Sequence, residues 1–433
     1  MNTSKLLLMV ITVALTSCYF FPFVLEALPI ANSKMILALL GLIMFGINLA
    51  KKGNAGTNFD FVQLSAWALV ISLIAYASIT INNTPDATFV SYIISMWVWL
   101  GGAYSIIMLI KQIHGKASVP LVVNYMLAVC VLQCVLALIF NNFTAAEEWH
   151  TSTFAGEAYM GNTDETRLHG IGCSLDVAGF RFAAIISMAA FLVSNKEINK
   201  SKWADNAYLI SICFISIIGN MISRSTIIGS IIALIVIIYM VVFINNDKKL
   251  IRKLSIILLA TALICTGFYT TNAVYRANFR FGFEGFFSLA EKGEWQTNSN
   301  DILQHMVVWP DNLKTWIIGD GYLNNPSDKS LATYDPYFVG KFHGYYMGTD
   351  IGYLRYIFYF GLIGLITFSI FFIKTFRILS RKFPAFKWIF LIVLTINFIQ
   401  WFKVSTDLFV VFAPFLCLAF QESENSTITN ENQ

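Results

Sequence analysis

Charge is scarce in this chain. Lysine, arginine, aspartate and glutamate make up 12% of its 433 residues, against about a quarter in a soluble domain, which excludes an ordinary globular protein with a solvated surface all round. The net charge of +4 is small and is divided among separate loops, so no nucleic-acid-binding face is expected. The cysteines lie within apolar stretches (Cys18, Cys130, Cys134, Cys213, Cys265, Cys417) or at the edge of one (Cys173). No pair stands in a polar loop, so no disulfide framework is expected. Cys130 and Cys134 share one helix face, as small core residues do. The five histidines show no paired spacing such as His-x-x-x-His, and no metal site is expected. The turn Ile318-Gly319-Asp320-Gly321-Tyr322 lacks the strand and lysine of a nucleotide loop, so no nucleotide or other cofactor is expected.

What the chain has instead is long apolar runs. Hydrophobic residues make up 57% of it and the mean hydropathy is +0.66. A membrane span needs about 20 apolar residues. Candidates are 6–25, 35–50, 61–81, 90–110, 119–140, 174–193, 207–222, 226–244, 254–271, 351–373, 388–402 and 407–420, the last two short enough to form one re-entrant pair. The expected fold is an all-α polytopic integral membrane bundle of about 12 transmembrane helices. Leu15-Thr16-Ser17-Cys18 resembles a lipoprotein processing site, but the apolar run continues through Phe20, Phe21 and Val24. Residues 6–25 therefore read as an uncleaved first helix.

Alternate connections carry the cations: Lys51 and Lys52; Lys111 and Lys116; Lys196, Lys200 and Lys202; Lys248, Lys249, Arg252 and Lys253; and Lys374, Arg377, Arg381, Lys382 and Lys387. Cations gathered in short loops mark the cytoplasmic side, which puts both termini there. The exterior set is then 82–89, an acidic 141–173 (Glu147, Glu148, Glu157, Asp164, Glu165), the turn 223–225 and the long segment 272–350. Helices one to nine fill residues 1–271 with a loop at 141–173, and helices ten to twelve fill 351–420 before a tail at 421–433. A connector as long as 272–350 is usually functional or disordered. Trp295, Trp309, Trp316, Tyr322, Tyr334 and Tyr345, set among glycines and aspartates, argue for a partly helical exterior lid. Its Phe-rich start, Asn278 to Leu289, reads as lying on the membrane surface.

Arg181, Arg224 and Arg355 sit at or inside apolar spans, toward that same exterior face. An arginine in the bilayer costs several kcal/mol and is expected to have an anionic partner or a wet cleft. For Arg224, at an exterior turn, and Arg355, about one turn inside the tenth span, snorkelling to the headgroups is the simpler alternative. Arg181 is several residues inside its span and does not allow that. Together they indicate a site for a strongly anionic group, since the guanidinium fork donates paired hydrogen bonds to phosphate. Arg167, in Arg167-Leu168-His169-Gly170-Ile171-Gly172, is placed to join them from the loop, unless that stretch is simply a flexible lead-in to the sixth span. Asp176 is a candidate to neutralise Arg181. His343 and Asp350, just ahead of the tenth span, are the candidate proton acceptors, with His305 and His169 weaker rivals. His343 comes first because a neutral imidazole accepts a proton, while Asp350 is placed to pair with Arg355 about one helical turn on.

The order of these features is similar to the O-antigen polymerase and O-antigen ligase superfamily of bacterial polysaccharide assembly. The resemblance rests on an Arg-x-x-Gly before a span, Ser223-Arg224-Ser225 opening a helix, a Gly-x-Gly in a large exterior loop, and a His/Asp segment entering a helix with Gly352, Gly361 and Gly364. It covers roughly residues 160–400. It implies a metal-independent glycosyl transfer at the periplasmic face of the inner membrane, with an undecaprenyl-diphosphate-linked oligosaccharide as substrate. By the resemblance Arg167, Arg181 and Arg224 would hold the diphosphate, joined by Arg355 from its own position, His343 and Asp350 would be catalytic, and a chain-length-regulating membrane protein is an expected partner. His343 falls where ligases have a His-Asn pair, but Gly344 replaces the asparagine. Asp350 stands where polymerases commonly have an aspartate, which favours polymerase over ligase. Relatives often carry an arginine shortly before the tryptophan that Trp309 resembles, and this chain has Gln304-His305 there. A flippase, the rival from another class, would place charge through the depth of many helices.

Overall fold

The computed structural model describes residues 3–52, 59–154, 167–195, 202–330 and 336–431. Glu157, Asp164, Glu165, Lys196, Lys200 and Tyr334 lie outside the described residues. Ten helices are long and apolar enough to cross a membrane: Thr3–Phe20, Ser33–Ala50, Phe59–Asn82, Tyr92–His114, Val119–Asn142, Leu175–Ser194, Ala204–Ile222, Thr226–Asn245, Lys248–Thr271 and Gly352–Lys382. Two shorter apolar helices, Pro384–Gln400 and Phe409–Phe420, follow. They match the twelve runs of the sequence one for one. We number the helices that matter here α1 (Thr3–Phe20), α2 (Ser33–Lys52), α3 (Phe59–Asn82), α4 (Tyr92–His114), α5 (Val119–Asn142), α6 (Thr144–Thr153), α7 (Leu175–Ser194), α8 (Lys202–Ile222), α9 (Thr226–Tyr239) and α10 (Lys248–Thr271).

The first span ends earlier than its hydropathy indicates. Helix α1 stops at Phe20, because Pro22 disfavours helical backbone in the residue before it, and the chain enters a two-stranded antiparallel hairpin, β1 (Val24–Leu25) and β2 (Leu28–Asn32). Helix α6, in the acidic segment 141–173, is a second element that hydropathy does not mark.

Helix α7 is the axis of the bundle, with nearly every residue from Ala178 to Ser194 buried. Small residues allow its close crossings: a Cβ on Gly229 would lie 2.2 Å from the Ala183 Cα, so α9 and α7 touch backbone to backbone, as small-residue interfaces between membrane helices do. By contrast α10 buries only Leu250, and exposes Ile256, Leu259, Leu263 and Phe268. An apolar rod of this kind is suited to a lipid surrounding.

Segment 272–350 is helical in good part: α11 (Ala273–Gly282), α12 (Glu284–Lys292), α13 (Asn298–His305) and α14 (Leu313–Ile318). Side chains cap three of them, Asn272 accepting from the Tyr275 amide at 2.9 Å, Thr297 from Asn300 at 3.2 Å and Asn312 from Thr315 at 2.9 Å. Each cap satisfies amides that a helix start leaves open, so the segment is built rather than slack.

Helix α15 (Gly352–Lys382) is broken at Phe360 and Gly361, where Gly361 has φ +68°. The Gly-rich turn fills the break. The amides of Asp320 and Gly321 donate to the carbonyls of Phe358 (2.6 Å) and Tyr359 (3.1 Å), and the Ser78 hydroxyl donates to Tyr359 (2.7 Å). Gly319, at φ +77°, has no room for a Cβ, which would meet the Phe360 nitrogen at 2.6 Å. The glycines of 318–322 thus serve a backbone junction between loop and bundle. The chain closes with α16 (Lys387–Gln400) and α17 (Phe409–Glu431), joined by a turn whose Trp401 carbonyl accepts from the Tyr353 amide at 2.9 Å.

Candidate functional site at the loop-covered mouth of the bundle

The sequence-predicted residues do not form one cluster; they fall into two neighbouring groups. The first begins at Asp176, in the first turn of α7. Its carboxylate accepts from Ser225 and, at 3.2 Å, from Ser223, and pairs with Lys403 at 2.8 Å. Gly179 is what lets the Ser223-Arg224-Ser225 turn come so near: a Cβ there would lie 2.5 Å from the Ser223 oxygen. Asp176 therefore answers Lys403 and the two serines, not Arg181 as the sequence indicated.

The turn projects Arg224 toward the loop. Its guanidinium pairs with Glu284 at 2.6 Å, donates to the Phe281 carbonyl at 3.1 Å and to Ser299 at 3.3 Å, and lies 4.3 Å from the Phe281 ring centre. Arg167 lies against the same ring at 5.0 Å and acts electrostatically on Asp176. Two of the four arginines are thus brought together, with one aromatic ring between the loop and the bundle as their common support.

Arg355, in the first turn of α15, is buried. It pairs with Asp350 at 3.1 Å, donates to the Leu323 carbonyl at 3.1 Å and the Asn324 side chain at 2.7 Å, and sits 4.5 Å from the Tyr345 ring centre. The pairing of Asp350 with Arg355, one turn on, is as the sequence indicated. Asp350 feels Asp176 as a like charge, which joins this pair to the first group. Burial pushes the Asp350 carboxyl up to about 6, against the pull of Arg355 and a hydrogen bond from Tyr345. A carboxyl poised there is ionised at neutral pH yet basic enough to take a proton.

Arg181 belongs to a separate, deeper group. It lies six residues into α7, or about 9 Å along the axis. One guanidinium nitrogen donates to the Phe20 carbonyl, and the group is surrounded by Phe20, Phe21 and Trp99 at 5.6–5.9 Å. Lys34 also lies against Trp99, 4.6 Å from its ring centre. Asp407, from the α16–α17 turn, acts on both cations. The contacts of Arg181 thus join α7 to the end of α1 and to Trp99 of α4, with Lys34 of α2 on the same tryptophan.

His343 is exposed, in left-handed backbone at φ +63°. Its carbonyl accepts from the Asn325 side chain at 3.1 Å and its amide faces Pro326, contacts of the backbone rather than of the imidazole. His305 is also exposed, its Nδ1 2.7 Å from the Asp301 carbonyl. The segment at Gly170 is pinned, not flexible: Gln133 accepts from the Ile171 amide at 2.9 Å and donates to its carbonyl at 3.0 Å.

Sequence reasoning missed Lys34, Lys403 and Asp407. A signal was present for the lysines. Both sit on connections that the alternation of cations assigns to the exterior, against the rule that gathers cations inside, and a cation on that side is there for a local reason.

An apolar cavity of about 610 Å³ opens beside this site, between α5, α8, α10 and α11. Ile217, Ile257, Ile264 and Phe268 line its wall, and Asn141, Asn272 and Asn278 sit among its lining residues. Leu168, next to Arg167, lines it as well, so an apolar chain lying there would end close to the arginine pair. No protein-family model matches the chain, and no curated protein matches it in sequence.

Proposed function

We propose that this protein is a polysaccharide polymerase of the inner membrane, joining oligosaccharide repeat units carried on undecaprenyl diphosphate at the periplasmic face. The observation that carries this reading is the outer-mouth group itself: Asp350 held near neutrality beside Arg355 and Tyr345, with Arg167, Arg224 and Lys403 close by and an apolar cavity alongside. A lipid-linked diphosphate needs this combination, a slot for its hydrocarbon, cations for its phosphates and a base for the incoming hydroxyl.

In the proposed reaction the acceptor hydroxyl oxygen attacks the anomeric carbon of a second lipid-linked glycan. The new glycosidic bond forms as the bond from that carbon to the diphosphate breaks, and undecaprenyl diphosphate leaves with the electron pair. Asp350 takes the hydroxyl proton. Arg224 and Arg167 stabilise the charge growing on the leaving group, an effect that is often the largest in catalysis. Arg224 meets the diphosphate by exchanging Glu284 for it. Arg355 orients Asp350, while Arg181 keeps the helices beneath in place. His343, the sequence's first candidate for the base, is assigned a position on the acceptor side, in contact with sugar rather than with the transferred proton.

The test is to incubate the purified protein in lipid with a lipid-linked repeat unit and separate the products by size. A ladder of lengthened, lipid-linked glycan is expected. Transfer only onto a lipid A-core acceptor would make the protein a ligase, and lipid movement across the bilayer without transfer would make it a flippase.

A further inference from the structure

Outside the site just described, Glu147 and His150 of α6 and His169 of the following loop converge, with one ligand-capable atom from each lying within 4.8 Å of the others. Glu147 and His150 are three residues apart, so the helix places them on one face. The chain then returns after a further 19 residues to bring the His169 Nε2 to 3.2 Å from the Glu147 carboxylate. His150 is fully buried, its ring 4.8 Å from that of His169 and 4.6 Å from Phe140. Helix, loop and α5 therefore hold the three side chains from three directions.

We propose that Glu147, His150 and His169 bind a divalent cation of the zinc class. Two imidazoles and one carboxylate are a donor set that suits zinc, and a fourth position is left for water. Zinc bonds of about 2.0–2.1 Å set neighbouring ligand atoms roughly 3.3 Å apart in a tetrahedron, the spacing already present between His169 and Glu147. The widest separation, 4.8 Å, needs to close by about 1.5 Å. The ion would clamp α6 to the 167–173 segment, and so fix Arg167 and the start of α7 from the exterior side. It takes no part in the glycosyl transfer proposed above, and stands or falls separately from it.

The full-length chain, purified in detergent without a histidine tag, is equilibrated with buffered zinc and freed of excess. Metal per chain is then counted by mass spectrometry. About one zinc ion per chain is expected, falling to background in Glu147→Gln and His169→Asn, two near-isosteric changes that spare the buried His150. His305→Ala, remote from the trio, should keep its zinc. Zinc should also raise the melting temperature of the wild type and leave both variants unmoved, and all variants should elute as single species so that lost metal is not lost fold. Wild-type protein with no zinc above the chelator-treated control, or zinc retained by His169→Asn, would overturn the proposal and leave the trio a carboxylate-bound histidine stack.

Discussion

Asp350→Asn tests both the chemistry and the physical cause of its basicity. Burial lifts this carboxyl from its ordinary 3.8 to about 6, even with Arg355 at 3.1 Å pulling the other way. As a general base it must be ionised to act, so the rate should rise with pH through about 6 and level off above it. At pH 5 only about a tenth of the enzyme would be competent, and at pH 7 about nine-tenths. Removing the base should lower turnover by ~10²–10⁴-fold and abolish that acid limb. The same burial predicts an opposite effect on stability. A raised carboxyl means that the native protein holds this proton more tightly than the unfolded chain, so the group's contribution is best below 3.8 and is lost as pH rises to about 6. Above that, keeping it ionised costs at most about 3 kcal/mol, less whatever solvent screens at its exposed edge. The neutral asparagine is free of this cost. Asp350→Asn should therefore melt at or above the wild-type temperature at pH 7, with the difference vanishing near pH 4. The assays are polymer formation from lipid-linked repeat unit against pH, and thermal unfolding in detergent at both pH values. A variant that keeps wild-type turnover, or that loses turnover together with several degrees of stability at pH 7, would refute the reasoning: Asp350 would then be a structural counter-ion for Arg355.

Arg224→Lys keeps the charge but loses the fork that reaches Glu284, Phe281 and Ser299 together, so polymer yield should fall at least tenfold while the protein accumulates normally in membranes; undiminished yield would return Arg224 to simple snorkelling. His343→Ala should keep turnover within a few-fold and chiefly raise the acceptor concentration needed, and a loss as deep as that of Asp350→Asn would move the base to the imidazole. Gly361→Ala must place a Cβ 2.1 Å from the Ile317 carbonyl at φ +68°, so its melting temperature in detergent should drop by several degrees, and a neutral result would mean that the break in α15 is not required. Lys249→Cys, in the first turn of α10, should resist a membrane-impermeant thiol reagent added outside, whereas labelling there would invert the proposed topology.

The spans were legible because a bilayer imposes a length and a polarity that can be read without knowing any partner. Every one of the twelve runs is a helix, and the errors are at ends set by local backbone chemistry, as at Pro22. The pairing of Asp350 with Arg355 was legible because only four residues lie between them. What escaped was everything closed over distance. Lys403 meets Asp176 from the far end of the chain, Asp407 acts on Arg181 and Lys34 through space from that same end, and His169 joins His150 across a segment that carries no pattern. The four arginines were read as one anion site because their side of the membrane could be inferred and their neighbours could not. Phe20, Phe21 and Trp99 around Arg181, and Phe281 between Arg167 and Arg224, are what divide them.

The break in α15 bears on how substrate could enter. An exterior segment over a membrane site reads from sequence as a lid, free to swing as one piece. Its second half cannot do so. Gly319, Asp320 and Gly321 are seated in the helix break, and Ser78, Asn82 and Thr84 of α3 and its outer end bond to the carbonyls of Ile318, Gly319 and Gly321 at 2.8–3.1 Å. Moving that half would unseat buried backbone hydrogen bonds, each costing about 1–3 kcal/mol to leave unmade. The first half is held to the Ser-Arg-Ser turn differently. Arg224 reaches it through Glu284, itself about a third exposed, the Phe281 carbonyl and Ser299 and the Phe281 ring. Asn278 donates to Asn141 of α5 at 3.0 Å. These are side-chain contacts that water or a phosphate can replace more cheaply than a seated backbone. Under the proposed function, an opening for a lipid-linked diphosphate falls to α11 and α12, beside the apolar cavity, because their ties to the bundle are made by side chains and not by backbone seated in a helix break.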